Sequence, residues 1–196
     1  RLFARLRQEF PDAAQRPREN ILSGRLLLAR GEIEQAIDTL QQAVNTSKDP
    51  GDSVVAVGRY YLVRALFDSD RHDQVVQQVA LMTEVLKSDS LDELRGALGL
   101  AAISSLNLRQ YENVLKFADE FLLRAEDPVK RADIMGTRAV ALSHLNRTEE
   151  AIETLTSLTK NNADQPQTWT AVLRAAEAAL DLGALKSAET LFKLAT

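Results

Sequence analysis

Two histidines, His72 and His144, are the only imidazoles in this 196-residue chain, and neither has a second ligand at a spacing that would hold a metal ion. The absence of cysteine removes thiolate nucleophiles, disulfides and sulfur-based zinc sites. Carboxylates are paired at Glu149-Glu150, at Asp92-Glu93 and at Glu32 with Glu34. Each pair falls where a helix should begin, and there the positive end of the helix dipole is reason enough for acidic residues. No phosphate loop, dinucleotide fingerprint or nucleophile elbow occurs. The residue types therefore point away from an enzyme, with no cofactor and no metal expected. What remains is recognition chemistry. Arginine and tyrosine are the side chains that most often carry interface energy, and a guanidinium fork takes a carboxylate bidentately.

The elements that must position such side chains are helices. Ala, Leu, Glu, Gln and Arg recur throughout, aromatics make up 5%, and Gly and Pro are sparse at 8 and 5 residues. The hydrophobic fraction of 45% with 27% charged residues is a globular balance. A net charge of -4 and a pI near 5.3 argue against a nucleic-acid partner, because phosphate binding gains from a basic face. The longest apolar runs, such as Leu26 to Ala29 and Leu98 to Ile103, are far short of the roughly 20 residues of a membrane span. A soluble protein is expected, the cytoplasm favoured over the periplasm.

The helices repeat. Boundary signals fall at Phe10-Pro11, Asp49-Pro50, Ser88-Asp89, Asp127-Pro128 and Gln165-Pro166. Between them the pattern is helix, tight turn, helix: Ile21 to Arg30, then Gly31, then Ile33, Ala36, Ile37, Leu40, Ala43 and Val44 on one helical stripe. Gly31 is the natural left-handed residue for leaving the first helix. The same place is taken by Asp70, Arg109, Asn146 and Gly183. The units are approximately 16–50, 52–89, 90–127, 128–165 and 166–196, after a half repeat at 1–12 whose helix spans Leu2 to Glu9. Ser90 followed by Glu93 reads as a capping box.

The segment Gly24-Arg25-Leu26-Leu27-Leu28-Ala29-Arg30-Gly31-Glu32-Ile33-Glu34-Gln35-Ala36-Ile37 resembles the tetratricopeptide (TPR) repeat. That resemblance implies an all-α, right-handed solenoid of about five stacked antiparallel hairpins after a leading helix, a single repeat domain over 1–196 that is expected to be a fragment of a longer solenoid. The family's small contact residue in the first helix matches Gly24, Val63, Ala102, Ala139 and Ala176, and its partner in the second helix matches Ala36, Val75, Val114, Ala151 and Ala188. The large apolar site of the first helix matches Leu27, Leu66 and Leu142, with Ser105 and Ala179 as poor substitutes. The period departs from the family's 34 residues, being 37 to 39. His72 falls at an aromatic packing site beside Tyr111 and Leu185 of later units. His144 reads as solvated, and Trp169 as packed on the preceding pair.

The resemblance also implies a function, the binding of a protein or peptide in a groove lined by first helices. Arg18, Arg25, Tyr60, Arg64, Phe67, Ile103 and Val140 are the expected partner-binding residues, with Ile21, Leu28, Gly99, Leu106, Gly136 and Ser143 also facing the groove. A lysine and asparagine clamp for a C-terminal carboxylate is not present: Ile21 and Arg25 stand where its first members would be. A sensing domain of a larger bacterial regulator and a passive spacer in an export or assembly protein are the alternatives.

Overall fold

Each hairpin begins as an amphipathic helix and reverses at a three-residue turn. A computed structural model describes residues 17–46, 53–85 and 92–194. The Leu2–Glu9 helix, the Phe10-Pro11, Asp49-Pro50 and Ser88-Asp89 boundaries and the Ser90 cap lie outside the described residues. Among those described there are ten helices and no strand: α1 Pro17–Ala29, α2 Ile33–Asn45, α3 Ser53–Asp68, α4 His72–Val85, α5 Asp92–Asn107, α6 Tyr111–Arg124, α7 Pro128–His144, α8 Thr148–Asn161, α9 Pro166–Asp181 and α10 Leu185–Leu194.

The turns share one geometry. Gly31, Asp70, Arg109, Asn146 and Gly183 all have positive φ, between +57° and +76°. At each, two amides close the preceding helix. The Gly31 amide donates to the Leu28 carbonyl and the Glu32 amide to the Leu27 carbonyl, at 2.9 and 3.0 Å; the matching Arg109 and Gln110 amides donate to Leu106 and Ser105 at 3.0 and 2.8 Å. This double closure is the Schellman motif, which satisfies carbonyls that the helix end would otherwise leave open. A left-handed conformation costs a residue with a Cβ about 1–2 kcal/mol, and glycine escapes that cost. A Cβ on Gly31 would meet nothing within 4 Å, so Gly31→Ala is expected to lose about 1 kcal/mol from backbone strain alone. Arg109→Gly should move the other way, gaining up to about 1 kcal/mol. Chemical denaturation midpoints check both; shifts of the same sign would show that strain does not govern the turns.

The chain forms two compact units, Arg1–Leu100 and Ala101–Thr196, with the division inside α5. In the first, α1 packs on α2 and α3, α2 on α3, and α3 on α4. In the second, α7 packs on α6, α8 and α9, and both α8 and α9 pack on α10. All ten motif residues, Gly24, Ala36, Val63, Val75, Ala102, Val114, Ala139, Ala151, Ala176 and Ala188, are buried. An added Cβ would come within 3 Å of a neighbouring helix at four glycines, Gly24, Gly58, Gly96 and Gly136. A Cβ on Gly24 would lie 2.4 Å from Leu40 Cγ, one on Gly58 2.8 Å from Ile21 Cδ1, and one on Gly136 2.6 Å from Ala171 Cβ. The core of the second unit gathers Leu142, Leu155, Leu158, Val172 and Leu191 with the small motif residues. Burying one such leucine contributes about 1.5–3 kcal/mol.

Two junctions between hairpins are fixed by side chains. Asp127 caps α7 by accepting from the Val129 and Lys130 amides at 2.9 and 3.3 Å, with Pro128 placed where no donor is needed. Arg131 reaches back to the Leu122 and Ala125 carbonyls at 2.5 and 2.8 Å and closes the end of α6. Before α9, the Thr168 hydroxyl donates to the Asn162 carbonyl and the Trp169 indole to the Ala163 carbonyl, both at 2.9 Å. Trp169 thus pins the loop it follows.

Candidate partner-binding surface

In the first unit, α1 and α3 run side by side and leave a cleft of about 290 Å³ lined by Arg25, Leu28, Ala29, Tyr61, Arg64 and Asp68. Arg25 and Arg64 stand six residues before their respective turns, so the repeat itself brings two guanidinium groups to one opening. Both are exposed. The Arg25 guanidinium carbon sits 4.5 Å from the centroid of the Tyr61 ring, which holds it by a cation–π contact while leaving its N–H edges open. Among the described residues neither Arg25 nor Arg64 has an ion-pair partner. Arg71, Arg138 and Arg147, by contrast, are engaged by Glu34, Asp119 and Glu150 at 2.6 to 2.7 Å. The cleft therefore combines two arginines and one carboxylate, Asp68, with the apolar surfaces of Leu28, Ala29 and the Tyr61 ring.

The other expected groove residues are placed differently. Tyr60 is half-buried, packed edge-on at 5.3 Å against Tyr61 and so close to α5 that a Cβ on Gly96 would lie 2.6 Å from its ring. Phe67 is half-buried and meets the His72 ring edge-on at 5.7 Å, consistent with a packing role for that histidine. Arg18 is exposed near the start of α1 but does not line the cleft, and Ile21 is buried beneath Gly58. In the second unit Ile103 is half-buried. Val140 corrects the expectation: it is buried at 3% exposure within the core, as are Gly136 and Ser143, because α9 closes on α7 where Gly136 has no side chain. Tyr61 was missed by sequence reasoning, although it lies three residues before Arg64 and so on the same helical face.

His144 also departs from expectation. Rather than being solvated, its ring stacks on Tyr111 with centroids 4.5 Å apart and planes 12° from parallel. Burial holds its pKa below the ordinary histidine value; Asp181 opposes that shift, and Arg109 and Arg174 add to it. With the folded pKa depressed, the unfolded chain takes up the proton first as pH falls, so this contribution is present above the ordinary value near 6.5 and is lost as pH drops below it. The thermal midpoint is expected to fall between pH 7.5 and pH 5. His144→Phe, which keeps a ring on Tyr111, should show a smaller fall; an equal fall would place the acid sensitivity elsewhere.

Among the described residues no cluster of three His, Asp or Glu side chains could hold a metal ion, and no helix is long and apolar enough to cross a membrane. No protein-family model matches the sequence, and no curated protein does. The fold itself is unambiguous in its class: the chain has a TPR-like helical-repeat fold. It superposes on YrrB, a TPR protein with an unusual peptide-binding site, with a TM-score of 0.73 and 12% identity over 100% of this chain and 91% of that one. A Podosopora anserina kinesin light chain with nearly identical TPR-like repeats gives 0.63 and 18%, covering 93% of this chain and 94% of the other. MamA of AMB-1 gives 0.64 and 15%, covering 90% and 87%. At these identities the likeness is one of fold.

Proposed function

We propose that the chain is a protein–protein interaction scaffold whose α1–α3 cleft takes an extended, acidic segment of a partner. The observation that carries this reading is the pair of exposed arginines, Arg25 and Arg64, lining one cleft with Tyr61 and Leu28 in a protein of net charge -4. An acidic side chain would gain a charge-assisted hydrogen bond from either guanidinium, and an apolar neighbour would rest against the ring and the leucine. The TPR-like neighbours support a scaffold in general terms, and the peptide-binding site of YrrB gives a precedent within the fold. No specific partner follows from the likeness.

The test is selection from a displayed library of unstructured peptides, followed by titration of the winners. Acidic sequences containing an apolar residue should be enriched, with affinities that weaken as salt is raised. Replacing Arg25 and Arg64 together by alanine should lower affinity about 30-fold or more, the effect of losing a hot spot of about 2 kcal/mol. Stability should stay within about 1 kcal/mol, since exposed charges contribute little to folding. Enrichment without acidic character, or an affinity indifferent to the double substitution, would overturn the assignment.

A further inference from the structure

The cleft between α1 and α3 holds one charge that a purely acidic ligand would leave unused. Its two walls pack directly on each other and differ in what they place at each level. Six residues before the turn both walls carry arginine, Arg25 and Arg64; two residues before it the α1 wall carries Ala29 and the α3 wall Asp68. Asp68 is exposed, and among the described residues none of these three charged side chains takes part in an ion pair. The charges around them do pair, Arg30 with Glu32 at 4.0 Å and Arg71 with Glu34 at 2.6 Å.

Arg64 and Asp68 lie four residues apart on one helix face, and the order of the two explains why they stay apart. At this spacing the acid is better placed before the base, in keeping with the helix dipole. Glu120 with Arg124 and Glu189 with Lys193 have that order and are paired, whereas Arg64 precedes Asp68. Across the cleft Ala29 offers Asp68 no cation. Two guanidinium groups therefore stand at one level and a carboxylate about 6 Å further along, the rise of four helical residues.

We propose that the acidic segment taken by this cleft also carries a cationic side chain two residues from the acid that meets the arginines, an inference that rests on the reading of the cleft as a peptide site. In an extended chain, side chains two residues apart share a face at a spacing of about 6.6 Å, close to the step between the two levels. Side chains one or three residues apart point to opposite faces, so neither spacing serves both levels. The ligand carboxylate is held by Arg25 and Arg64, and the ligand cation by Asp68. Two arginines against one aspartate leave a single net positive charge, which one ligand carboxylate cancels. A second acid in place of the cation would be set against Asp68.

The probes are capped, unstructured peptides with one glutamate, one leucine and one lysine in a Gly/Ser background, the lysine standing one, two or three residues from the glutamate on either side. A further version of the two-residue peptide has glutamine in place of lysine. Titrated against the full chain, a two-residue spacing should bind about fivefold more tightly than the other spacings and than the glutamine version, the gain from one exposed ion pair. Asp68→Asn should remove the gain, so that lysine and glutamine peptides bind alike. Asp68→Lys should invert the preference, favouring a second glutamate over lysine at the two-residue position. Both side chains are exposed at this site, and helical circular dichroism checks that the fold is kept. Binding that depends on Arg25 and Arg64 but is indifferent to spacing and to Asp68 would overturn this proposal and leave the peptide cleft standing, whereas failure of every acidic peptide to bind would overturn both. Displacement of the best peptide by an equal concentration of a free zwitterionic amino acid would also overturn it, by assigning the cleft to a small molecule.

Discussion

Gly24→Leu is expected to lower the free energy of unfolding by about 3 kcal/mol or more, the upper range for overfilling a packed contact. The first added carbon already lies 2.4 Å from Leu40 Cγ and 2.7 Å from Leu40 Cδ2, and Leu40 is fully buried, so it has no open space into which to swing. The two helices must separate. Even Gly24→Ala should be destabilising, although alanine is the better helix former by about 1 kcal/mol. Leu40→Ala alone should cost about 2–5 kcal/mol by leaving a cavity. The informative variant combines them: in Gly24→Ala with Leu40→Ala the new methyl group enters space that the leucine has vacated, and the loss should be clearly less than the sum of the two single losses. Strict additivity in urea denaturation would show that the α1–α2 contact is not where the repeat register puts it.

Ala151→Leu should have the next largest effect, about 1–3 kcal/mol, for a related reason in the other unit. Ala151 is fully buried in the first turn of α8, within a core that also holds Leu155 and Leu158. Its counterparts in α4 and α6 are Val75 and Val114, both also fully buried, so the position accepts two extra carbons when its surroundings are built for them. A graded response follows. Ala151→Val should cost less than about 1.5 kcal/mol, and Ala151→Leu should be the worse of the two, with the denaturation midpoint moving and the slope constant. Equal tolerance of valine and leucine would mean that α8 is rotated away from its partner.

Much of the scaffold was legible in the sequence because it is encoded by size and period. Small residues recurring at fixed distances from a turn, such as Gly24 with Ala36 or Ala139 with Ala151, define which helix faces meet, and the turn position itself could be read even where it holds Asp70 or Arg109. The surface was less legible, because exposure depends on what packs over a residue and not on its own period. Val140 and Ser143 sit at the same repeat positions as Arg64 and Phe67, yet α9 closes over α7 and buries both. Tyr60 was expected beside Arg64, but the absence of a side chain at Gly96 leaves room for its ring to wedge against α5, and the neighbouring Tyr61 meets Arg25 instead. His144 looked isolated in sequence; its stacking partner Tyr111 is 33 positions away and becomes adjacent only when α6 and α7 pack.

The five turns bear on how much a sequence can change and still keep this fold. Each is held by a pair of main-chain hydrogen bonds, and the residue at its centre is glycine in two and aspartate, arginine or asparagine in the others. Selection acting on that geometry is thus nearly blind to the side chain, beyond a strain of about 1 kcal/mol that a well-packed hairpin can absorb. A backbone geometry of this kind accepts very different sequences: the chain superposes on YrrB with a TM-score of 0.73 while the two share 12% of their residues.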